Sequence, residues 1–250
     1  MNNCQRSSKV FTQDTSKKTN FCLSVIIPVF NEAAAIGETI HRFATDTAVE
    51  IIVVDGGSSD RTTAIVNNFA RDKPHVRLVT SPEKGRAKQM NYGATLATGE
   101  LLLFLHGDTK LPANYQLVIK NTLQQGYILG AFELAIAGKD PGLKVIEWLV
   151  NLRSRFLSLP YGDQALFITK KNFQLLGGYQ DLPIMEDFEL VKRAKKRGKI
   201  AIAPMPVITS PRRWQKLGVW RTTLINQIVI IGYYLKISPA KLRNLYSYFD

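Results

Sequence analysis

The sequence predicts an α/β domain, a mostly parallel, twisted sheet with helices on both faces. Strand-like and helix-like segments alternate four times within about 90 residues, which argues parallel strands joined by helical crossovers. The strand-like segments are apolar throughout rather than alternating, as expected where both faces of a sheet are covered. A third observation says where a ligand goes. The polar residues that stand out fall at the carboxyl ends of these runs: Asn31 and Glu32, Asp55, and His106 with Asp108. Open α/β sheets bind ligands at that edge.

Each element has its own reason. LSVIIPV, over 23–29, is an apolar β-rich run, and a helical stretch opens at Asn31-Glu32 with Ile36, Ile40 and Phe43 at spacings of four and three. A buried strand over 50–55 ends in Asp55, and a turn leads to a helix whose apolar face is Ile65, Val66 and Phe69. A short strand spans 76–79, a helix runs from Lys84-Gly85-Arg86 to about Ala97, and a strand spans 101–105. Beyond Asp108 the alternation weakens. A helix is expected from Pro112, a strand over 129–137, a helix over 143–156 and a strand over 164–169. A helix over 186–197 and a strand over 200–203 follow. Near the end, Leu217, Trp220, Leu224, Ile228, Ile231 and Leu235 recur at three and four, the spacing of an amphipathic helix. The chain divides into a disordered tail over 1–20, a domain over 21–215 and a helical appendage over 216–250.

Composition narrows the function. With 33 Lys plus Arg against 20 Asp plus Glu, the net charge is +13. Such an excess suits phosphate-bearing or polyanionic partners: nucleic acid, an anionic membrane or a diphosphate donor. Cys4 and Cys22 cannot build a disulfide framework, and no Cys/His cluster suggests zinc, so a cytoplasmic location is expected. Residues 1–20 lack the apolar core of a secretory signal; their Ser/Thr-rich, acid-poor composition leaves a transit peptide as the alternative to a tail.

The run SVIIPVFNE, then EIIVVDGGSSDRT, then a strand ending in an acidic loop, resembles glycosyltransferase family 2 over about residues 22–110. A looser match continues through YGDQALFITK and MEDFEL. KGRAKQMNYGA with LLFLHGDT is similar to a bacterial subgroup of that family. The resemblance implies a GT-A fold, with a Rossmann-like nucleotide-binding half, an acceptor half and C-terminal amphipathic helices. It implies transfer of a sugar from a nucleotide-diphosphate donor to an acceptor hydroxyl, with inversion and a divalent cation, Mn2+ or Mg2+.

Carried over residue by residue, Pro28, Phe30, Asn31 and Glu32 would hold the nucleoside, although Asn31 could instead cap the next helix. The family often has two acids after the second strand; here Gly56 takes the second place, leaving Asp55 as the substitute beside Gly57, with Asp60 read as a helix cap. Lys84 and Arg86 at a helix entry suit a diphosphate. The family's Asp-x-Asp metal motif appears as His106-Gly107-Asp108, which makes Asp108 the metal ligand candidate, with His106 a second ligand, a diphosphate donor or a structural residue. In Glu186-Asp187, Asp187 is the candidate general base and Glu186 its neighbour, or both are first-turn acids placed by the helix dipole. Arg212, Arg213 and Trp214 resemble an Arg-Trp element laid over the donor diphosphate.

Other readings stay in view. A non-catalytic sugar-nucleotide binder is compatible with Gly56 and His106. A nucleotidyltransferase would usually carry a Gly-rich basic loop where this chain has PVFNE. No nucleic-acid recognition pattern accompanies the positive charge, so no specific nucleic-acid partner is expected. The C-terminal stripe either packs on the catalytic domain or, with its flanking cations, meets the inner face of a membrane and a lipid-like acceptor.

Overall fold

The computed structural model describes residues 22–43 and 45–248; the tail expected over 1–20, with Cys4, lies outside the described residues. Seven strands form one sheet in the order β3-β2-β1-β4-β6-β5-β7. These are β1 (Leu23–Val29), β2 (Val49–Asp55), β3 (Val76–Thr80), β4 (Leu101–Phe104), β5 (Leu129–Ile136), β6 (Phe167–Thr169) and β7 (Ile200–Thr209). β1, β2, β3 and β4 pair in parallel, as do β5 and β7; β6 runs antiparallel to both β4 and β5. The sheet is therefore mostly parallel, as the apolar runs require.

Alternation along each strand sorts its side chains onto two cores. Val25, Ile27, Ile51 and Val53 join one core with Ile36, Ile40 and Phe43 from around α1 (Ile36–His41) and Val66 from α2 (Thr62–Asp72). Ile119 of α4 (Tyr115–Gln124) and Ile146 of α5 (Pro141–Leu157) extend it. Ile26, Ile52 and Val54 join the other core, covered by Met90 of α3 (Arg86–Leu96), Phe173 of α6 (Lys170–Leu175) and Leu190 of α7 (Glu186–Arg197). After β7 come α8 (Arg212–Leu217), α9 (Val219–Tyr234) and α10 (Pro239–Tyr248).

Several expectations shift. The first helix starts at Ile36, not Asn31: Asn31 takes φ 55°, outside the helical region, and the amides of Asn31, Glu32 and Ala33 donate to Ser58, Thr62 and Asp60. The helix expected from Pro112 begins at Tyr115, after Asn114 takes φ 60°. Gln164 sits in a 3-10 turn, Gly162–Gln164, and the following strand starts only at Phe167. β7 continues to Thr209 through Pro204 and Pro206, which the sheet's edge tolerates because an edge strand can leave amides unpaired. The register slips between Phe132 and Glu133 opposite these prolines.

The C-terminal stripe is also corrected. α9 does pack on the domain, but through Thr222, Ile225, Val229 and Gly232. Trp220, Leu224, Ile228, Ile231 and Leu235 face outward. Gly232 lets Leu242 of α10 come within 2.6 Å of where a Cβ would sit, which draws α10 onto the inner face.

Gly93 fixes α3 flat on the sheet: a Cβ there would lie 2.6 Å from Ile26 Cγ2 and 2.9 Å from Val54 Cγ2. Both are stiff β-branched side chains of central strands. Gly93→Val is expected to overpack this contact and lower stability by about 1–3 kcal/mol. Urea unfolding of the variant measures it, and an unchanged midpoint would show that α3 can lift without cost.

Candidate active site

The parallel strands end together, and the site is built on that edge. The β1–β4 ladder stops at Ile26 opposite Phe104, two residues before Pro28, which has no amide to donate. Past that point the chains part and His106-Gly107-Asp108 turns out between β1 and α1. Thr39 donates from Oγ1 to the Gly107 carbonyl at 2.7 Å, pinning the loop.

The β1 loop is locked to the β2 loop. Asn31 adopts φ 55°; its amide donates to Ser58 Oγ at 2.9 Å and its Oδ1 accepts from the Ser59 amide at 2.9 Å. It is a loop clasp, not a helix cap. Asp60 accepts from the amides of Thr62 and Ala33, a role close to the cap expected of it. Asp55 is buried, and its carboxylate accepts from the amides of Gly57 and Ser58, so it shapes its own turn. Gly57 has φ 94°, a conformation that glycine adopts without strain. Behind this turn lies Gln89, which the sequence reading missed. Its Nε2 donates to the carbonyls of Val29, at 2.9 Å, and Val54, at 2.8 Å, tying the ends of β1 and β2 to α3. A Cβ on Gly56 would meet the Gln89 side chain at 3.0 Å. The signal was available: Arg86, Gln89 and Gly93 share one face of the helix.

Two charged clusters face each other. In the first, Arg212 Nη2 donates to Glu32 Oε2 at 2.7 Å and to Asp108 Oδ2 at 3.0 Å. Arg212 reaches them because β7 is long: Lys110 and Ile208 exchange both backbone hydrogen bonds at 2.9 Å, which carries the segment after Thr209 over Asp108. Beside it, Arg213 stacks its guanidinium 3.7 Å from the Tyr246 ring centre. Trp214 packs against the core, and its Nε1 is buried without a hydrogen-bond partner among the described residues.

In the second cluster, Arg86 at the start of α3 donates to buried Glu186 through Nε and lies 3.6 Å from Asp187 Oδ2 through Nη2. Its Nη1 is 3.2 Å from His106 Nε2. Burial opposes the charge on Arg86, yet Glu186 and Asp187 hold its guanidinium above its ordinary pKa. His106 goes the other way: burial, then the Arg86 charge, lower it to about 4, so its imidazole is neutral at pH 7. Asp187 is held by its own neighbours, accepting from the Gly162 amide at 2.6 Å and the Phe188 amide at 2.7 Å. Met185, just before α7, takes φ 69°, a strained value for a non-glycine residue of the kind that gathers at functional sites.

The sequence reading also passed over Asp163, inside YGDQALF. Its Oδ1 is buried and has no hydrogen-bond partner among the described residues. Burial, partly countered by Arg153, raises its carboxyl to about 6. A cavity of about 180 Å³ joins it to Arg86, His106, Tyr161 and Asp187, closed on one side by Asn226, Val229 and Ile230 of α9. A second cleft, about 270 Å³, is lined by Pro28, Phe30, Glu32, Arg86, His106 and Asp108. The structure thus gathers most of the expected residues, while Lys84 lies exposed beside Gly57, away from both clusters.

Comparison with known proteins places the family and the fold. The profile described as "Glycosyl transferase family 2" matches residues 24–173. The chain belongs to that family. Among its similar relatives, the probable glycosyltransferase YdaM of Bacillus subtilis (strain 168) is 26% identical over 249 residues, 89% of this chain and 59% of that protein. The uncharacterized glycosyltransferase YibD of Escherichia coli (strain K12) is 32% identical over 105 residues, 41% of this chain and 30% of that protein. The chain therefore spans well under two thirds of these relatives. Among solved structures, the mannosyltransferase PcManGT from Pyrobaculum calidifontis, in complex with GDP-Man and Mn2+, superposes with TM-score 0.66 at 22% identity, over 91% of this chain and 69% of that one. S. aureus TarS gives 0.60 at 17%, over 91% and 42%. The fold is the GT-A type.

The Arg86–Glu186 pair is testable on its own. Breaking a buried pair from one side typically costs about 3–5 kcal/mol, because a charge is left without its partner. Arg86 keeps 41% of its side chain exposed, so solvent screening reduces this. Arg86→Met is expected to cost about 1–3 kcal/mol by chemical denaturation, and adding Glu186→Gln to recover part of it.

Proposed function

We propose that this chain transfers a sugar from a nucleotide-diphosphate donor to an acceptor hydroxyl with inversion. The observation that carries the reading is the pairing of the two clusters across one edge of the sheet: Glu32, Asp108 and Arg212 on one side, Arg86, His106, Asp187 and Asp163 on the other. Phe30, 57% exposed at the mouth of the second cleft, offers a face for the base, with Pro28 and Glu32 beside it.

Among the described residues no three His, Cys, Asp or Glu side chains are gathered to hold a metal ion. The residues nevertheless fit a hard cation. Glu32 and Asp108 already bring carboxylate oxygens to 2.7 and 3.0 Å from one positively charged group, and a cation held by one or two carboxylates takes its remaining oxygens from substrate phosphates. In this reading Asp108 and Glu32 hold Mn2+ or Mg2+, which when bound neutralises charge on the leaving diphosphate. His106, turned to Arg86, supplies a neutral imidazole at the far side. Arg86 and Arg212 place guanidinium charge against the phosphates. Asp108→Ala is expected to remove both transfer and its metal dependence while leaving the melting temperature without ligand nearly unchanged. Full activity of the parent protein in excess chelator would overturn the metal.

Asp187 is the base this reading favours, with Glu186 holding Arg86 beside it. A second reading has its own observation: both Asp187 oxygens already accept from backbone amides, while Asp163 keeps a buried Oδ1 without a partner and a carboxyl raised to about 6. A base works best with a pKa near the working pH. The two separate by pH profile. Below about 6 an Asp163 carboxyl is protonated and cannot accept a proton, so transfer should fall as pH drops through that value. Asp187→Asn and Asp163→Asn each keep volume. The one that removes the base should cut transfer about 100- to 10,000-fold while the donor still raises the melting temperature. If Asp163→Asn keeps full transfer while Asp187→Asn loses it, Asp187 is the base.

Sugar-nucleotide turnover that depends on Asp108 separates this reading from a non-catalytic binder, and release of free nucleoside diphosphate separates it from a nucleotidyltransferase. The acceptor in the same reading is lipid-like and is met at the inner face of a membrane. Arg212, Arg213, Lys216, Arg221, Lys236, Lys241 and Arg243 fall between Pro211 and Tyr248, a stretch with no acidic residue.

A further inference from the structure

α5 and α9 lie side by side on one flank of the domain. They start together, Gly142 standing against Val219, and they end at the same helix. Leu157 accepts from Lys195 of α7, and Tyr233 and Tyr234 pack edge-on against Phe188 of α7. Each buries one face and leaves an apolar stripe outside. On α5 the stripe is Val145, Trp148, Leu149, Leu152 and Phe156, with Trp148 62% and Phe156 78% exposed. On α9 it is Trp220, Leu224, Ile228, Ile231 and Leu235. Large apolar side chains grouped this way on neighbouring helices mark an interaction surface. Among the described residues no helix is long and apolar enough to cross a membrane, so the stripes belong to a surface helix pair.

Charge identifies the occupant. Lys144, Arg155, Arg221 and Lys236 border the stripes; Lys144 pairs with Glu147, which also accepts from the Ile136 amide at 2.7 Å, and Arg155 pairs with Glu133, so the excess of positive charge comes from the α8–α10 side. α8, α9 and α10 contain no acid at all. We propose that the paired outer faces of α5 and α9 form an interfacial docking platform for an anionic lipid bilayer, with Trp148 and Trp220 seated at the headgroup level. Apolar side chains enter the acyl boundary while the flanking cations meet anionic headgroups. The proposal deepens the reading of a lipid-like acceptor and rests on it for one consequence. The inner face of α9, through Asn226, Val229 and Ile230, walls the cavity that holds Asp163 and Asp187. One helix therefore touches lipid outside and the acceptor pocket inside, so an acceptor with an apolar tail can keep its tail in the bilayer while its hydroxyl reaches the carboxylates.

The test uses the full chain and vesicles. With phosphatidylglycerol-containing vesicles at low salt the protein should pellet, and with pure phosphatidylcholine it should pellet much less. Vesicles carrying brominated acyl chains should quench tryptophan emission, because two of the three tryptophans sit on the platform. Leu152→Glu with Leu224→Glu, both at exposed positions, should lower vesicle affinity at least tenfold and abolish quenching, while the melting temperature and its shift with donor stay unchanged. Three results overturn the platform: no pelleting at low salt; pelleting that survives the double substitution; or a dimer in sedimentation velocity that the substitutions disperse, which makes the face a self-interface. None of these measurements needs sugar transfer, so loss of the donor reading leaves the platform standing, and the reverse also holds.

Discussion

A carboxylate buried to the extent of Glu186, 3% exposed, obliges the fold to bring a cation to it, and Arg86 is that cation. Much of the site follows from meeting this demand. α3 has to lie flat enough on the sheet for its first residue to reach across, which Gly93 permits. α7 has to begin at Glu186, which puts Asp187 in the first turn, where the helix dipole favours an acid and the Phe188 amide can donate to it. Once placed, the guanidinium faces His106 and adds to the burial that keeps it neutral, so the loop after β4 presents an uncharged imidazole to one cluster and the Asp108 carboxylate to the other.

The Arg212 cluster depends on a different constraint, the length of β7. A strand ending at Ala203 would leave the chain well short of the β4 loop. Because β7 runs to Thr209 at the edge of the sheet, the residues after it are delivered onto Asp108, and Arg212 closes over the two carboxylates. That cluster is thus assembled from both halves of the chain, while the cleft beside it is lined by residues 28–108 alone.

What could be read from the sequence divides along the same line. The parallel strands were legible because continuous apolar runs and helical spacing are local signals, and the ligand edge followed from where the polar residues stop them. Pro204 and Pro206 hid β7, since prolines argue against a strand until its edge position is known. Asn31 looked like a cap because the side chains that bind its loop, Ser58 and Ser59, lie 27 and 28 residues away. Asp163 was hidden just before the strand expected over 164–169, where no local spacing marks a buried acid. The outward stripe of α9 was seen as spacing but assigned no direction, because a helix apolar on two sides offers no polar face to orient it. The family resemblance pointed to most residues of the two clusters, yet it could not show that Asp55 is enclosed by its own turn.

Gly56 and Gln89 illustrate how tightly this edge constrains change. Where relatives of this fold can carry a second acid, this chain holds a glutamine amide 3.0 Å from where a side chain would begin, and that amide joins two strands to a helix. An acid introduced at 56 displaces the crossbeam before it can greet any nucleotide base; shortening Gln89 first releases two buried carbonyls. Either change alone disturbs a buried contact at the carboxyl edge of β1 and β2, so positions 56 and 89 are coupled, and a designer altering one has to alter the other with it.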